Sequence, residues 1–143
     1  MQAWQIALIA VSVIIIVIGF EVIRQKKTNQ RIKNELKKFG SLHNDVLKKN
    51  GYLFHVYIIN APKNAEVTIN SIINVQVNNG VNNKLYTLKN TKIPRLIIIN
   101  GNEGRLKRYL NENEMVFITK DDFFWNMYVI RTNQIESFFQ KFN

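Results

Sequence analysis

Met1-Gln-Ala-Trp-Gln-Ile-Ala-Leu-Ile-Ala-Val-Ser-Val-Ile-Ile-Ile-Val-Ile-Gly-Phe20 carries no charged side chain. From Ile6 onward it is almost wholly aliphatic. About 20 apolar residues wound as a helix cover roughly 30 Å, the hydrocarbon thickness of a bilayer. Trp4 suits one interfacial layer, and the charges from Glu21 to Lys27 suit the other. A buried core helix is usually shorter and more interrupted. A cleaved signal peptide begins with basic residues and ends at a small-residue cleavage site, and neither is evident around residues 1–23. Residues 1–23 are therefore expected to form a single transmembrane anchor in the cell membrane.

Downstream of this stretch the charge is concentrated. Arg24, Lys26, Lys27, Arg31, Lys33, Lys37 and Lys38 stand against one Glu35, in a chain of net charge +10. Basic residues next to a membrane helix favour the cytoplasmic side, so the rest of the chain is expected there. The same cluster would be attracted to anionic lipid headgroups, by about 1 kcal/mol per basic residue. Apolar positions at Ile32, Leu36, Phe39, Leu42, Val46 and Leu47 are spaced for a helix. Residues 24–50 thus read as a basic helical juxtamembrane stalk, broken or kinked at Gly40-Ser41. Residues 51–143 leave room for one small domain.

That domain is expected to be α+β or α/β with a mixed sheet. Tyr52 to Ile59 is a dense aromatic and β-branched run, bounded by Gly51 and by Asn60-Ala-Pro62, and reads as a buried strand. Residues 63–77 partly alternate. Asn78 to Asn83 has turn composition, and Lys84 to Leu88 is a short strand. Arg95 to Asn100 is a second apolar strand. The turn Gly101-Asn-Glu-Gly104 makes a hairpin with Arg105 to Leu110 the simplest connection, with a helix over 103–112 as the competing reading. Met115 to Thr119 is another strand. Thr132 is placed to cap a closing helix that buries Ile135, Phe138, Phe139 and Phe142.

The composition removes several kinds of chemistry. Without cysteine there is no disulfide, thiolate metal site or cysteine nucleophile. His43 and His55 are the only histidines, so a multi-histidine metal site is excluded. His55 has no carboxylate or nucleophile beside it in sequence and reads as a hydrogen-bonded structural histidine. Asp121-Asp122 lacks the further oxygen ligands of a calcium loop and reads as turn and cap. Gly101 to Gly104 matches neither a phosphate loop nor a dinucleotide fingerprint. No catalytic residue, cofactor or metal is expected.

Two surfaces remain as binding candidates. Phe123, Phe124, Trp125, Met127 and Tyr128 crowd five large side chains into six positions, more than one face of a strand can bury. Arg95, Arg105, Lys107 and Arg108 flank the expected hairpin, and alternation places Arg105, Lys107 and Tyr109 on one exposed face. Such a basic face suits anionic lipid or nucleic acid, but also an ordinary solvated edge, where basic side chains guard against aggregation. The edge reading carries more weight, and nucleic acid is not favoured as a partner.

Thr91-Lys-Ile-Pro-Arg-Leu-Ile-Ile-Ile-Asn-Gly-Asn-Glu-Gly-Arg-Leu106 resembles the late part of a thioredoxin-like domain, where an apolar residue and a cis-proline precede a central strand. Arg131-Thr-Asn-Gln-Ile-Glu-Ser-Phe-Phe139 is similar to that fold's last helix. The layout of apolar helix, Arg24-Gln25 and basic stalk resembles membrane-anchored members of the methylamine-utilisation accessory type. The resemblance implies that Tyr52 to Asn60 precedes the redox loop, that Ala61 to Asn64 lies near it, and that Pro94 is cis. It implies an outer-side location, against the charge rule. With no Cys-x-x-Cys it implies a redox-inactive docking or chaperone subunit of a thiol-disulfide system. From the residues themselves, the leading expectation is a non-enzymatic, membrane-tethered binding or accessory protein whose partner is another membrane or membrane-associated protein.

Overall fold

The computed structural model describes residues 2–101 and 103–143; Met1 of the expected anchor and Asn102 of the expected turn lie outside them. Two compact units are present, one ending at Asn34 and the other spanning Glu35–Asn143. The first is an uninterrupted α-helix, α1 (Ala3–Leu36), whose last residues enter the second unit. Its 34 residues extend about 50 Å. Its most apolar 18-residue window has mean hydropathy 3.0 and is wholly unburied. Length and composition therefore suffice for one membrane span, a test that a signal sequence also passes.

The second unit contains two five-stranded mixed sheets, where one sheet was expected. The helical stalk is shorter than the spacing predicts. After Leu36, residues 41–49 form a hairpin, β1 (Ser41–His43) and β2 (Val46–Lys49). Asn44 and Asp45 both adopt positive φ (47° and 61°), the two-residue turn that joins tightly twisted antiparallel strands. Asn50-Gly51 repeats the device (φ 47° and 87°) and leads into β3 (Tyr52–Ala61). Leu42, Leu47 and Phe54 lie opposite one another across these strands. The apolar spacing that suggests a helical stripe is the first row of a sheet.

The remaining strands are β4 (Glu66–Ile69), β5 (Asn74–Asn78), β6 (Asn83–Thr87), β7 (Arg95–Gly101), β8 (Arg105–Asn111), β9 (Glu114–Phe117) and β10 (Met127–Arg131). The first sheet runs β1-β2-β3-β7-β10, with β3, β7 and β10 parallel. The second runs β6-β5-β4-β8-β9, with β4 and β8 parallel. The expected hairpin of residues 95–100 with 105–110 does not form, nor does a helix over 103–112. β7 and β8 belong to different sheets, and the chain passes between them at Gly101. There φ is 143°, and a Cβ would collide with the Ala61 carbonyl oxygen. Two β-arches, β3–β4 and β7–β8, consequently stack in parallel register, His55 on Arg95 and Glu66 on Arg105.

Alternation divides the core into two layers. Ile59, Ala61, Ile97, Ile99, Met127 and Val129 face Val67, Ile69, Val75, Val77 and Leu106 between the sheets. The opposite face of the first sheet buries Leu47, Phe54, Val56, Leu96, Ile98 and Ile130. The short helix α2 (Ile135–Phe139), flanked by 3-10 turns, covers that face with Ile135, Phe138 and Phe139. Phe54 meets the Phe138 and Phe139 rings edge-on at 6.0 and 6.1 Å, and Phe39 stacks on Phe139 at 5.2 Å. The expected Thr132 cap is replaced. Thr132 Oγ1 donates to the Ile99 carbonyl, while Gln134 Oε1 accepts from the Arg131 N–H. No cis peptide bond occurs among the described residues, so Pro94 is trans, contrary to what the thioredoxin-like resemblance implies.

Candidate binding sites

The aromatic run does not form one patch; the chain distributes it over three environments. β10 begins only at Met127. Phe124 bridges to Met127 through paired backbone hydrogen bonds (3.2 and 2.9 Å), closing a two-residue turn of Trp125 and Asn126. Phe124 is buried in the core between the sheets, with the Arg108 guanidinium 4.4 Å from its ring centre. Phe123 and Tyr128, by contrast, pack against each other at 4.7 Å and line a groove.

This first groove, about 500 Å³, lies where β3, β7 and β10 start. Gly51, Tyr52, Leu53, Phe54, Lys92, Ile93, Pro94, Phe123, Tyr128 and Phe142 form its wall. The packed side is fixed: Tyr52 meets Phe142 at 5.0 Å and Phe142 meets Phe54 at 5.2 Å. The open side consists of large apolar groups left in solvent. Tyr52 is 54% exposed, Phe123 53% and Leu53 41%. No acidic side chain lines the groove. Beside Phe123, Asp121 pairs with Lys141 and Lys120. Hydrogen bonds from Lys141 and then Lys120 hold its carboxyl below the ordinary range. The pairing is therefore complete at neutral pH and lost only as pH falls through that lowered pKa. Asp122 Oδ2 accepts the Thr119 N–H at 2.7 Å, the turn role its sequence suggests.

A second groove, about 450 Å³, is lined by Asn70, Tyr109, Leu110, Asn111, Glu112 and Trp125. Three loops meet here, at the ends of β4 and β8 and at the turn before β10. Arg95 ties two of them together. Although it reads from sequence as a flanking surface charge, it is fully buried. Its guanidinium donates to the Ile72 and Trp125 carbonyls, its backbone N–H donates to Asn126 O at 3.0 Å, and its Nε has no partner. Burial lowers its pKa, with Tyr57 acting in the opposite sense.

Arg105, Lys107 and Tyr109 do share the outer face of the second sheet, as alternation predicts; their cross-strand partners are Glu66, Thr68 and, on β9, Met115. Glu66 lies between the two cations, 3.0 Å from Lys107 and 4.0 Å from Arg105, and the Lys107 side chain is only 12% exposed. The pairing offsets part of the charge a polyanion would need. Arg108 points inward to Phe124 instead. His55 stacks on Tyr57 at 4.8 Å, and its backbone N–H donates to Pro94 O. Among the described residues, no three His, Cys, Asp or Glu side chains gather as a metal site.

Sequence reasoning misses Tyr52, Leu53, Lys92 and Phe142 in the first groove, and Asn70, Leu110 and Glu112 in the second. Tyr52 and Leu53 carried one usable signal: they directly follow the Asn50-Gly51 turn, where a strand is least covered. Comparison with protein-family models, curated proteins and solved structures finds no match to this chain.

Proposed function

We propose that the chain is a single-pass membrane-tethered binding protein without catalytic activity, its α1 helix spanning the bilayer and residues 24–143 facing the cytoplasm. The partner is a membrane or membrane-associated protein that covers the first groove. The observation carrying this reading is the exposure of Tyr52, Leu53 and Phe123 around one groove. Contiguous apolar side chains rimmed by polar ones are costly to leave in water and mark contact surfaces. The basic residues from Arg24 to Lys38 support the orientation.

A photo-crosslinker placed at Phe123 should trap a discrete protein in native membranes. Combined Tyr52→Ala and Phe123→Ala substitutions should weaken capture at least tenfold, equivalent to about 1.4 kcal/mol. Because both side chains are more than half exposed, the pair should change unfolding free energy by less than about 1 kcal/mol. Turnover of a substrate abolished by His55→Ala would sink the reading. The anchor has its own test. The chain should resist alkaline extraction from membranes, and residues 24–143 should survive protease added to intact cells. Digestion under those conditions would reverse the orientation.

A further inference from the structure

We propose that the second groove is a binding site for an organic ammonium ion, a small cation with an apolar body. The proposal goes beyond the membrane-tethered reading and does not depend on it.

The first observation is the turn that presents Trp125. Trp125 and Asn126 both adopt positive φ, 48° and 57°. Two-residue turns of this hand favour Asn and Gly, and a bulky aromatic at the first position is strained. The strain is held from several sides. Arg95 takes the Trp125 and Asn126 carbonyls, and Asn126 Nδ2 donates to Thr91 O at 3.3 Å and to Lys92 O at 3.4 Å. Strained residues that surrounding structure over-determines cluster at ligand sites. Here the result is an indole ring on the groove wall, 36% exposed, while neighbouring Phe124 goes to the core.

The second observation is the chemistry of the lining. Tyr109 and Trp125 supply two aromatic side chains, and Leu110 supplies an aliphatic one. Glu112 is the only charged residue in the wall and forms no ion pair among the described residues. In a chain of net charge +10, no Lys or Arg lines this groove. Aromatic faces attract cations, and an ammonium with an apolar shell gains from the rings and the carboxylate together. An anion would meet the Glu112 carboxylate and no cationic side chain in the wall. A neutral alcohol of the same shape would forgo both electrostatic contributions.

The test uses the full chain in detergent micelles with Trp4→Phe, so that Trp125 is the sole tryptophan. Choline is the probe, titrated against sodium chloride of equal ionic strength. The tryptophan emission should change saturably, with a dissociation constant on the order of 1–10 mM. The uncharged isostere 3,3-dimethylbutan-1-ol should bind at least tenfold more weakly. Glu112→Gln, an exposed change, should weaken choline several-fold while leaving the near-ultraviolet circular dichroism unchanged. Equal binding of choline and its isostere would make the groove an apolar slot and overturn the proposal. So would a response to glucose without one to choline, or no saturable response to choline at all.

Discussion

An Arg95→Ala chain is expected to lose about 3–5 kcal/mol of unfolding free energy, among the largest effects of any single substitution in the second unit. Three contributions decide this. Deleting a large, fully buried side chain leaves a cavity, which costs about 2–5 kcal/mol. The Ile72 and Trp125 carbonyls lose their donors, at about 1–3 kcal/mol for each that stays buried. Against these, the protein no longer desolvates a guanidinium that has no carboxylate partner, a relief of several kcal/mol. Arg95→Met separates the contributions. It keeps most of the volume and removes the charge, so its loss should be smaller, about 1–2 kcal/mol. Urea unfolding of the full chain in micelles, in a Trp4→Phe background and followed by Trp125 emission, measures both. The sign with pH is also determined. A base whose folded-state pKa is lowered is penalised at every pH below that pKa and relieved only as pH rises through it. An arginine stays charged across the neutral range, so the difference between wild type and Arg95→Ala should be flat from about pH 5 to 9. An Arg95→Ala protein as stable as the parent would show that loops 70–73 and 123–126 hold themselves in place.

Gly101→Ala should be comparably severe, at about 3 kcal/mol or more. A side chain there faces two penalties. The φ of 143° is open to glycine and strained for other residues, at about 1–3 kcal/mol. The added Cβ also strikes the Ala61 carbonyl oxygen, a backbone atom that cannot swing aside. Relieving the clash means parting β3 from β7 where Ala61 pairs with Gly101. Hydrogen exchange should therefore show lost protection at the Ala61 end of β3 before it appears near His55. Ala at Gly80 makes a useful contrast: φ is similarly positive (85°), but nothing lies within 4 Å, so only the conformational strain remains.

These two positions also mark the limit of what the sequence discloses. The apolar helix was legible because hydropathy over a membrane-length stretch is a local property. The strands beginning at Tyr52 and Arg95 were legible for the same reason: dense β-branched and aromatic runs have few other uses. The closing segment was legible through the spacing of Ile135, Phe138 and Phe139, although its start was not, because Thr132 turns to the Ile99 carbonyl. Residues 41–49 misled because the spacing of Leu42, Val46 and Leu47 fits a helix, whereas in the structure Leu42 meets Leu47 across a hairpin. The deciding signal was Asn44-Asp45, a turn pair without glycine. The Arg95–Leu110 segment misled because Gly101 suits a hairpin and a sheet-to-sheet crossing equally, and only contact with Ala61, 40 positions earlier, distinguishes them. Charge misled at Arg95 and Arg108, which composition assigns to the surface and the fold buries or half-buries. The sequence singles out Phe123, Tyr128, Tyr109 and Trp125, and in the structure the first two line one groove and the last two the other. That they belong to two different grooves depends on long-range pairing that no local window contains.

The stacked arches have a consequence for how the chain acquires its structure during synthesis. β3 can pair at once with β2, which precedes it, but its other neighbour, β7, follows after roughly the time needed to translate 40 residues. At about 5–20 residues per second this is some 2–8 seconds. β7 in turn waits for β10. Throughout that interval the nascent chain presents an aromatic strand with one unpaired edge. Pairings so distant along the chain also make folding slow once all the strands are available. The vulnerable period of this protein is therefore the few seconds between synthesis of β3 and of β7, when Tyr52 to Ala61 is accessible to chaperones, to proteases and to other copies of itself.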